Sequence, residues 1–140
     1  MTFLGIDVGT SAVKAVLVAD DTVLAQSSAP LAISRPHALW SEQDPEWWWN
    51  ATELAVSALD PALRAAVRGI GMAGQMHGAT LLDPSDRPLR PSILWNDGRS
   101  AAECGELETI EPRSRAITGN VAMAGFTAPK LLWLRRHEPD

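Results

Sequence analysis

The decapeptide "GIDVGTSAVK", Gly5 to Lys14, places an acidic residue inside an apolar run and follows it with a Gly-Thr-Ser turn. Phe3, Leu4, Ile6 and Val8 form a short, nearly continuous apolar run, the pattern of a central strand buried on both faces. Gly9, Thr10 and Ser11 suit a tight turn, and Val13 to Val18 reads as a second strand rich in β-branched residues. Asp20-Asp21-Thr22 makes the next turn, leading to a third strand around Val23 to Ser27. The chain therefore opens as an antiparallel three-strand meander with Asp7 at its first bend.

The segments after the meander set the fold class. Ser34 to Gln43 is polar and contains proline, which makes it a loop. Asp44-Pro45 starts a helix, with Asp44 as N-cap and Glu46 near the positive end of the dipole. Trp48, Thr52, Ala55, Val56 and Leu59 share one helical face, and Asp60-Pro61 is expected to end the helix. Trp47, Trp48 and Trp49 lie about 100° apart on a helix, too wide an arc for one buried stripe. At least one must face something other than the core. Val67 to Ala73 reads as a strand, with Gly69 and Gly71 marking a close approach to its backbone. Ala79 to Leu82 and Leu89 to Trp95 flank a turn-rich hexapeptide and predict a hairpin. Ser100 and Glu103 have the spacing of a capping box opening a short helix. Thr127 to His137 predicts a last helix anchored by Leu131, Leu132 and Leu134. Meander, crossover helix, strand and further helices give a mixed α/β fold of the ribonuclease-H-like (actin/hexokinase) type, not a doubly wound dinucleotide fold.

Composition narrows the function classes. At 140 residues one domain is expected. A net charge of -5 disfavours nucleic acid or anionic membrane as the main partner. A single cysteine, Cys104, excludes an intrachain disulfide and fits a reducing compartment. With no signal-like N-terminus and no apolar run of roughly 20 residues, a cytoplasmic location is expected.

Three stretches carry candidate chemistry. "GIDVGTS" matches neither the Walker A spacing nor the dinucleotide fingerprint. A bare carboxylate repels phosphate, but Asp7 becomes useful where Mg²⁺ sits between the two, since Mg²⁺ binds through one or two carboxylates plus phosphate oxygens and water. Gly9, Thr10 and Ser11 then offer N–H and hydroxyl donors to the phosphates, and Lys14 adds a positive charge. The same residues also make an ordinary hairpin turn, and the stretch alone leaves both readings open. In "GQMHG", Gln75 and His77 are suited to sugar hydroxyls and Met76 to a carbon face, or the segment is a polar bend with a satisfied histidine. In "ILWNDGR", Trp95 offers a flat face to a sugar ring beside Asn96, Asp97 and Arg99, or it is a core tryptophan before an Asp-Gly turn. No zinc-type spacing and no G-x-S-x-G elbow is present, and Cys104 reads as a small apolar residue.

Together with "SRPHALWSEQDPEWWW", "GMAGQMHGATLLD", "LRPSILWNDGR" and "ITGNVAMAGFTAPKLLWLRRHEP", the opening decapeptide resembles the FGGY carbohydrate kinases, in particular their xylulose-phosphorylating branch. The resemblance covers nearly the whole chain and is weaker at residues 60–68 and 106–111. It implies transfer of the γ-phosphoryl group of ATP to the 5-hydroxyl of D-xylulose or a related ketopentose, with ATP and Mg²⁺ as cofactors. It implies that Asp7 organises Mg²⁺, through water, with Gly9, Thr10, Ser11 and Lys14 near the phosphates. Gln75, Met76 and His77 would contact the ketopentose, and Trp95, Asn96 and Asp97 would line its pocket. Family members are several times longer, with two actin-like domains around the active site; their general base and adenine pocket lie beyond position 140. The expectation is therefore an N-terminal part, 1–140, of the first kinase domain, its sheet incomplete at the C-terminal end and the second domain absent. Such a chain is expected to turn over sugar poorly and to self-associate. Two alternatives stand beside this: another FGGY kinase, for glycerol, gluconate or ribulose, and a non-catalytic sugar-binding or interaction module. An Arg-Glu pair in place of Met76-His77 would resemble the glycerol enzyme.

Overall fold

A computed structural model describes residues 1–139; the expected span 1–140 reaches one residue, Asp140, outside them. In chain order the elements are β1 (Thr2–Val8), β2 (Ala12–Ala19), β3 (Thr22–Pro30), β4 (Glu42–Gln43), α1 (Pro45–Ser57), α2 (Pro61–Ala65), β5 (Val67–Gly74), β6 (Ser92–Ile93), α3 (Ala101–Ile110), α4 (Ser114–Thr118) and α5 (Thr127–His137). They group into two compact units, one formed by Met1–Ile33 with Asp44–Gln75, the other by Ser34–Gln43 with the chain from Met76 on.

In the first unit the sheet order is β3-β2-β1-β5, antiparallel along the meander and parallel between β1 and β5. The two-residue turn Asp20-Asp21 has φ of 47° and 62°, the double left-handed geometry whose twist matches a hairpin. α1 provides the crossover to the parallel strand and lies on one sheet face. Ala51, Ala55 and, just past the helix, Leu59 bury there against Leu4, Ile6, Val13, Ala15, Leu17 and Ala29. Each large apolar side chain so buried contributes about 1.5–3 kcal/mol, and the alanines let the helix approach closely. Ser27 Oγ donates to the Ala55 carbonyl at 2.5 Å, pinning β3 to the helix.

Two expectations change in this unit. The apolar run of β1 is buried on one face only: Leu4 and Ile6 are core residues, whereas Phe3 is 44% exposed. The opposite face carries Gly5, Asp7, Lys14 and Gln26 and is open. Also, α1 stops at Ser57, and Asp60 does not end it but caps α2, accepting from the N–H groups of Ala62 (2.8 Å) and Leu63 (3.1 Å). Asp44 caps α1 as expected, accepting from Glu46 N–H at 3.0 Å. Of the three tryptophans, Trp49 is 62% exposed, as the helical arc requires.

In the second unit, β4 and β6 pair antiparallel. The predicted hairpin is present as antiparallel bridges, Leu82↔Pro88 and Ala79↔Ile93, the latter closed by hydrogen bonds in both directions (2.9 and 3.0 Å), while β6 also pairs with β4. The capping box does not form: Ser100 Oγ bonds the Ala124 carbonyl at 3.2 Å, and Glu103 pairs with Arg136 instead of the helix start. On α5 the anchors are Trp133 and Leu134 rather than Leu131, which is exposed. Trp133 meets Trp40 edge-on at 5.4 Å and stacks on His137 at 4.7 Å. No helix among the described residues is long and apolar enough to cross a membrane.

Candidate functional site

The candidate residues divide between the two units. In the first, Asp7 stands exposed near the end of β1, with Lys14 opposite it in register on β2. They share the open sheet face with Gln26, Ser28, Gly5 and Gly71, and the cleft above it measures about 820 Å³. The glycines keep the cleft floor at backbone level. Behind Asp7 the turn closes through Gly9 N–H to the Ala12 carbonyl at 3.1 Å; a Cβ on Gly9 would sit 3.0 Å from that same oxygen, so the turn is tight enough to disfavour a side chain. Ser11 O accepts from Leu31 N–H at 2.9 Å, which ties the turn to the end of β3. Gln75 belongs to this cluster. Its N–H reaches the Val8 carbonyl at 3.0 Å, and its side-chain oxygen accepts from Thr10 Oγ1 at 3.1 Å. Expected from sequence beside the sugar-facing pair, Gln75 instead joins the Gly9–Ser11 turn.

The second unit holds Met76, His77, Trp95, Asn96 and Asp97. Met76, His77, Trp95 and Asn96 are exposed. His77 has φ of 61°, a left-handed conformation unusual for a residue other than glycine. Its ring lies 4.5 Å from Phe126. Under this turn Lys130 is fully buried at 0% exposure, and its Nζ donates to the carbonyls of His77 and Gly125, 2.7 Å each. Burial pushes the Lys130 ammonium down to about 8, against the favourable charge of Asp97 and with the adverse charge of Arg99.

Asp97 differs from its neighbours. It is 2% exposed; its Oδ2 accepts from Ser41 N–H (2.6 Å) and Arg99 Nη2 (2.7 Å), its Oδ1 from Arg99 N–H and Nε, both 2.9 Å. Arg99, set by the sequence reading beside the flat face of Trp95, turns inward with its side chain 1% exposed. Its guanidinium pairs with Asp97 and Glu42 and lies 3.6 Å from the Trp40 ring centre. Arg90 continues the network to Glu42 and Glu138. The network braces the segment that presents Trp95 and Asn96.

Sequence reasoning missed Lys130, Glu42 and Arg90. Lys130 did leave a signal: it sits three and four residues before Trp133 and Leu134, on the buried stripe of α5, where a lysine requires a specific partner. Glu42 and Arg90 left none, because their pairing joins segments 48 residues apart. Burial raises the Cys104 thiol, helped by the charges of Glu103 and Glu108, the opposite of an activated nucleophile. Among the described residues no three of His, Cys, Asp and Glu gather to hold a metal. Asp7 is thus offered as a single carboxylate, enough for an ion whose other ligands are water and phosphate oxygens.

The sequence pattern of the FGGY family of carbohydrate kinases, N-terminal domain, matches residues 2–140. The chain is 59% identical over 99% of its length to a protein named xylulose kinase from Escherichia coli (strain K12), of which it covers 29%. It is 60% identical over 97% of its length to one from Klebsiella pneumoniae, again covering 29%. Among solved structures, a xyloylose kinase from Brucella ovis superposes with TM-score 0.96 at 51% identity, over 100% of this chain and 30% of that one. A xylulose kinase from Rhodospirillum rubrum gives 0.90 at 34% identity, over 99% of this chain and 30% of that one. These likenesses bear out the ribonuclease-H-like reading of the meander and its parallel fourth strand. The chain spans about 29% of the length of the curated relatives it matches.

Proposed function

The chain belongs to the FGGY family of carbohydrate kinases, and on that premise we propose that its protein transfers the γ-phosphoryl group of ATP to the 5-hydroxyl of D-xylulose. The reading rests on one observation above all: the exposed Met76-His77 turn is carried by a chain 59% identical to a xylulose kinase. In this proposal Met76 packs on the carbon face of the ketopentose, His77 bonds its hydroxyls, and Trp95 and Asn96 line the pocket. Asp97 acts behind them, holding Ser41 and Arg99. Gly9, Thr10 and Ser11 present N–H and hydroxyl donors to the phosphates, with Gln75 fixing Thr10 and Lys14 adding positive charge. Asp7 would hold Mg²⁺, which when bound would neutralise phosphate charge; phosphoryl transfer depends on such positioning and neutralisation more than on covalent chemistry. Assayed by itself, the 140-residue chain is proposed to phosphorylate D-xylulose slowly or not at all. In this reading the general base is not among these residues, and losing such a base costs about 10²–10⁴-fold.

Titration calorimetry with D-xylulose, glycerol and gluconate tests the substrate assignment. D-xylulose is expected to bind and the other two to bind weakly. No heat from D-xylulose, or glycerol binding as tightly, overturns it. A module with no part in catalysis, or a kinase for another polyol, is then the better description.

A further inference from the structure

Lys130 is a buried charge that the proposed mechanism leaves unused. Its hydrogen bonds go to two backbone carbonyls, His77 O and Gly125 O, each at 2.7 Å, rather than to a carboxylate. An ammonium fully removed from water is expensive, so a chain keeps it where it holds something in place. What it holds here is specific. His77 occupies the left-handed region, φ 61°, a conformation that costs about 1–2 kcal/mol for a residue with a Cβ and persists where the surroundings fix it. Gly125, the other end of the clamp, packs against the Trp95 backbone, with its hypothetical Cβ only 2.5 Å from the Trp95 carbonyl. Phe126, the next residue, supports the His77 ring. One ammonium thus joins the turn carrying Met76 and His77 to a loop seated on Trp95.

We propose that Lys130 is a positioning residue for the sugar-facing turn, its ammonium fixing the His77 backbone and tying it to the Gly125–Phe126 loop. The proposal rests on the sugar-binding reading of His77 and Trp95. A methionine of similar length fills the same space but donates nothing, leaving both carbonyls without their donor. Two measurements on the protein as encoded decide the matter. In Lys130→Met, backbone order parameters at residues 76–78 are expected to fall below about 0.6 while β1 stays near about 0.85. D-xylulose affinity is expected to drop about tenfold or more, since both charge-assisted hydrogen bonds that hold the turn are lost. An ordered turn, or affinity within about twofold of the parent, overturns the proposal. Should β1 lose order as well, the variant has unfolded, and the parent protein decides: its Lys130 ¹⁵Nζ resonance must shift on saturation with D-xylulose, and an unmoved resonance overturns the proposal. If the parent binds no D-xylulose, the substrate assignment falls, while the order parameters at 76–78 still decide the positioning role.

Discussion

Asp97→Asn separates two roles for Asp97 at the proposed sugar site, lining it or bracing the segment that carries Trp95 and Asn96. The side chain is 2% exposed, and both carboxylate oxygens accept from two donors each: Ser41 N–H and Arg99 Nη2 on one, Arg99 N–H and Nε on the other. An amide of the same shape must turn its NH₂ toward one of these pairs, so either orientation sets donor against donor. The change also removes the charge opposite a buried guanidinium, a loss worth about 3–5 kcal/mol. Glu42 still meets Arg99 Nη2 at 2.8 Å, so the lower end applies, about 3 kcal/mol. Against the roughly 5–15 kcal/mol that stabilises a domain, that is a large fraction. Urea unfolding followed by tryptophan fluorescence reads it, with Asn96→Ala as the comparison. Asn96 is exposed, and its truncation is expected to change stability by less than about 0.5 kcal/mol while weakening sugar binding. A loss under about 1 kcal/mol in Asp97→Asn, together with a large fall in D-xylulose affinity, refutes the bracing role and returns Asp97 to the pocket.

Gly125→Ala drives a methyl group to 2.5 Å from the Trp95 carbonyl, a backbone atom that cannot swing away; destabilisation of about 1–3 kcal/mol in the same unfolding assay is expected, and a neutral result contradicts the close packing. Lys130 gives a pH dependence of definite sign. Its folded value, about 8, lies below the ordinary 10.5, so the unfolded chain holds the proton to higher pH. The penalty of burying the charge is complete below pH 8, and stability rises as pH climbs from there through the unfolded value. The stability of the parent minus that of Lys130→Met should therefore increase between those pH values, by at most ~3 kcal/mol, and a flat difference refutes it. Asp97 and Arg99, the charges that act on Lys130, remain in both proteins, so the difference isolates the lysine.

The meander, the crossover helix and its cap, the parallel strand and the last helix were legible because each is specified locally. Alternating apolar residues, Asp-Asp and Asp-Pro turns, and helical spacing act within a few residues of one another. The exposed groups of the candidate site were legible for a related reason: Met76, His77, Trp95 and Asn96 sit beside glycines or turns that put them at the surface. Asp7 was legible as an acid in a strand, but whether its face was covered was not. Packing of α1 on the opposite face left that side open, which is why Phe3 is exposed and the cleft exists. The capping box failed for the converse reason, since Ser100 and Glu103 found distant partners that outcompeted near ones. Sequence by itself determined the strands, turns and caps that put Met76, His77, Trp95 and Asn96 at the surface. Only tertiary structure decided which are held and by what. Asp97 and Arg99 turned inward to each other, Gln75 turned to Thr10, and a buried Lys130 came to rest under His77, because unpaired polar groups away from water cost more than the long loops needed to bring their partners together.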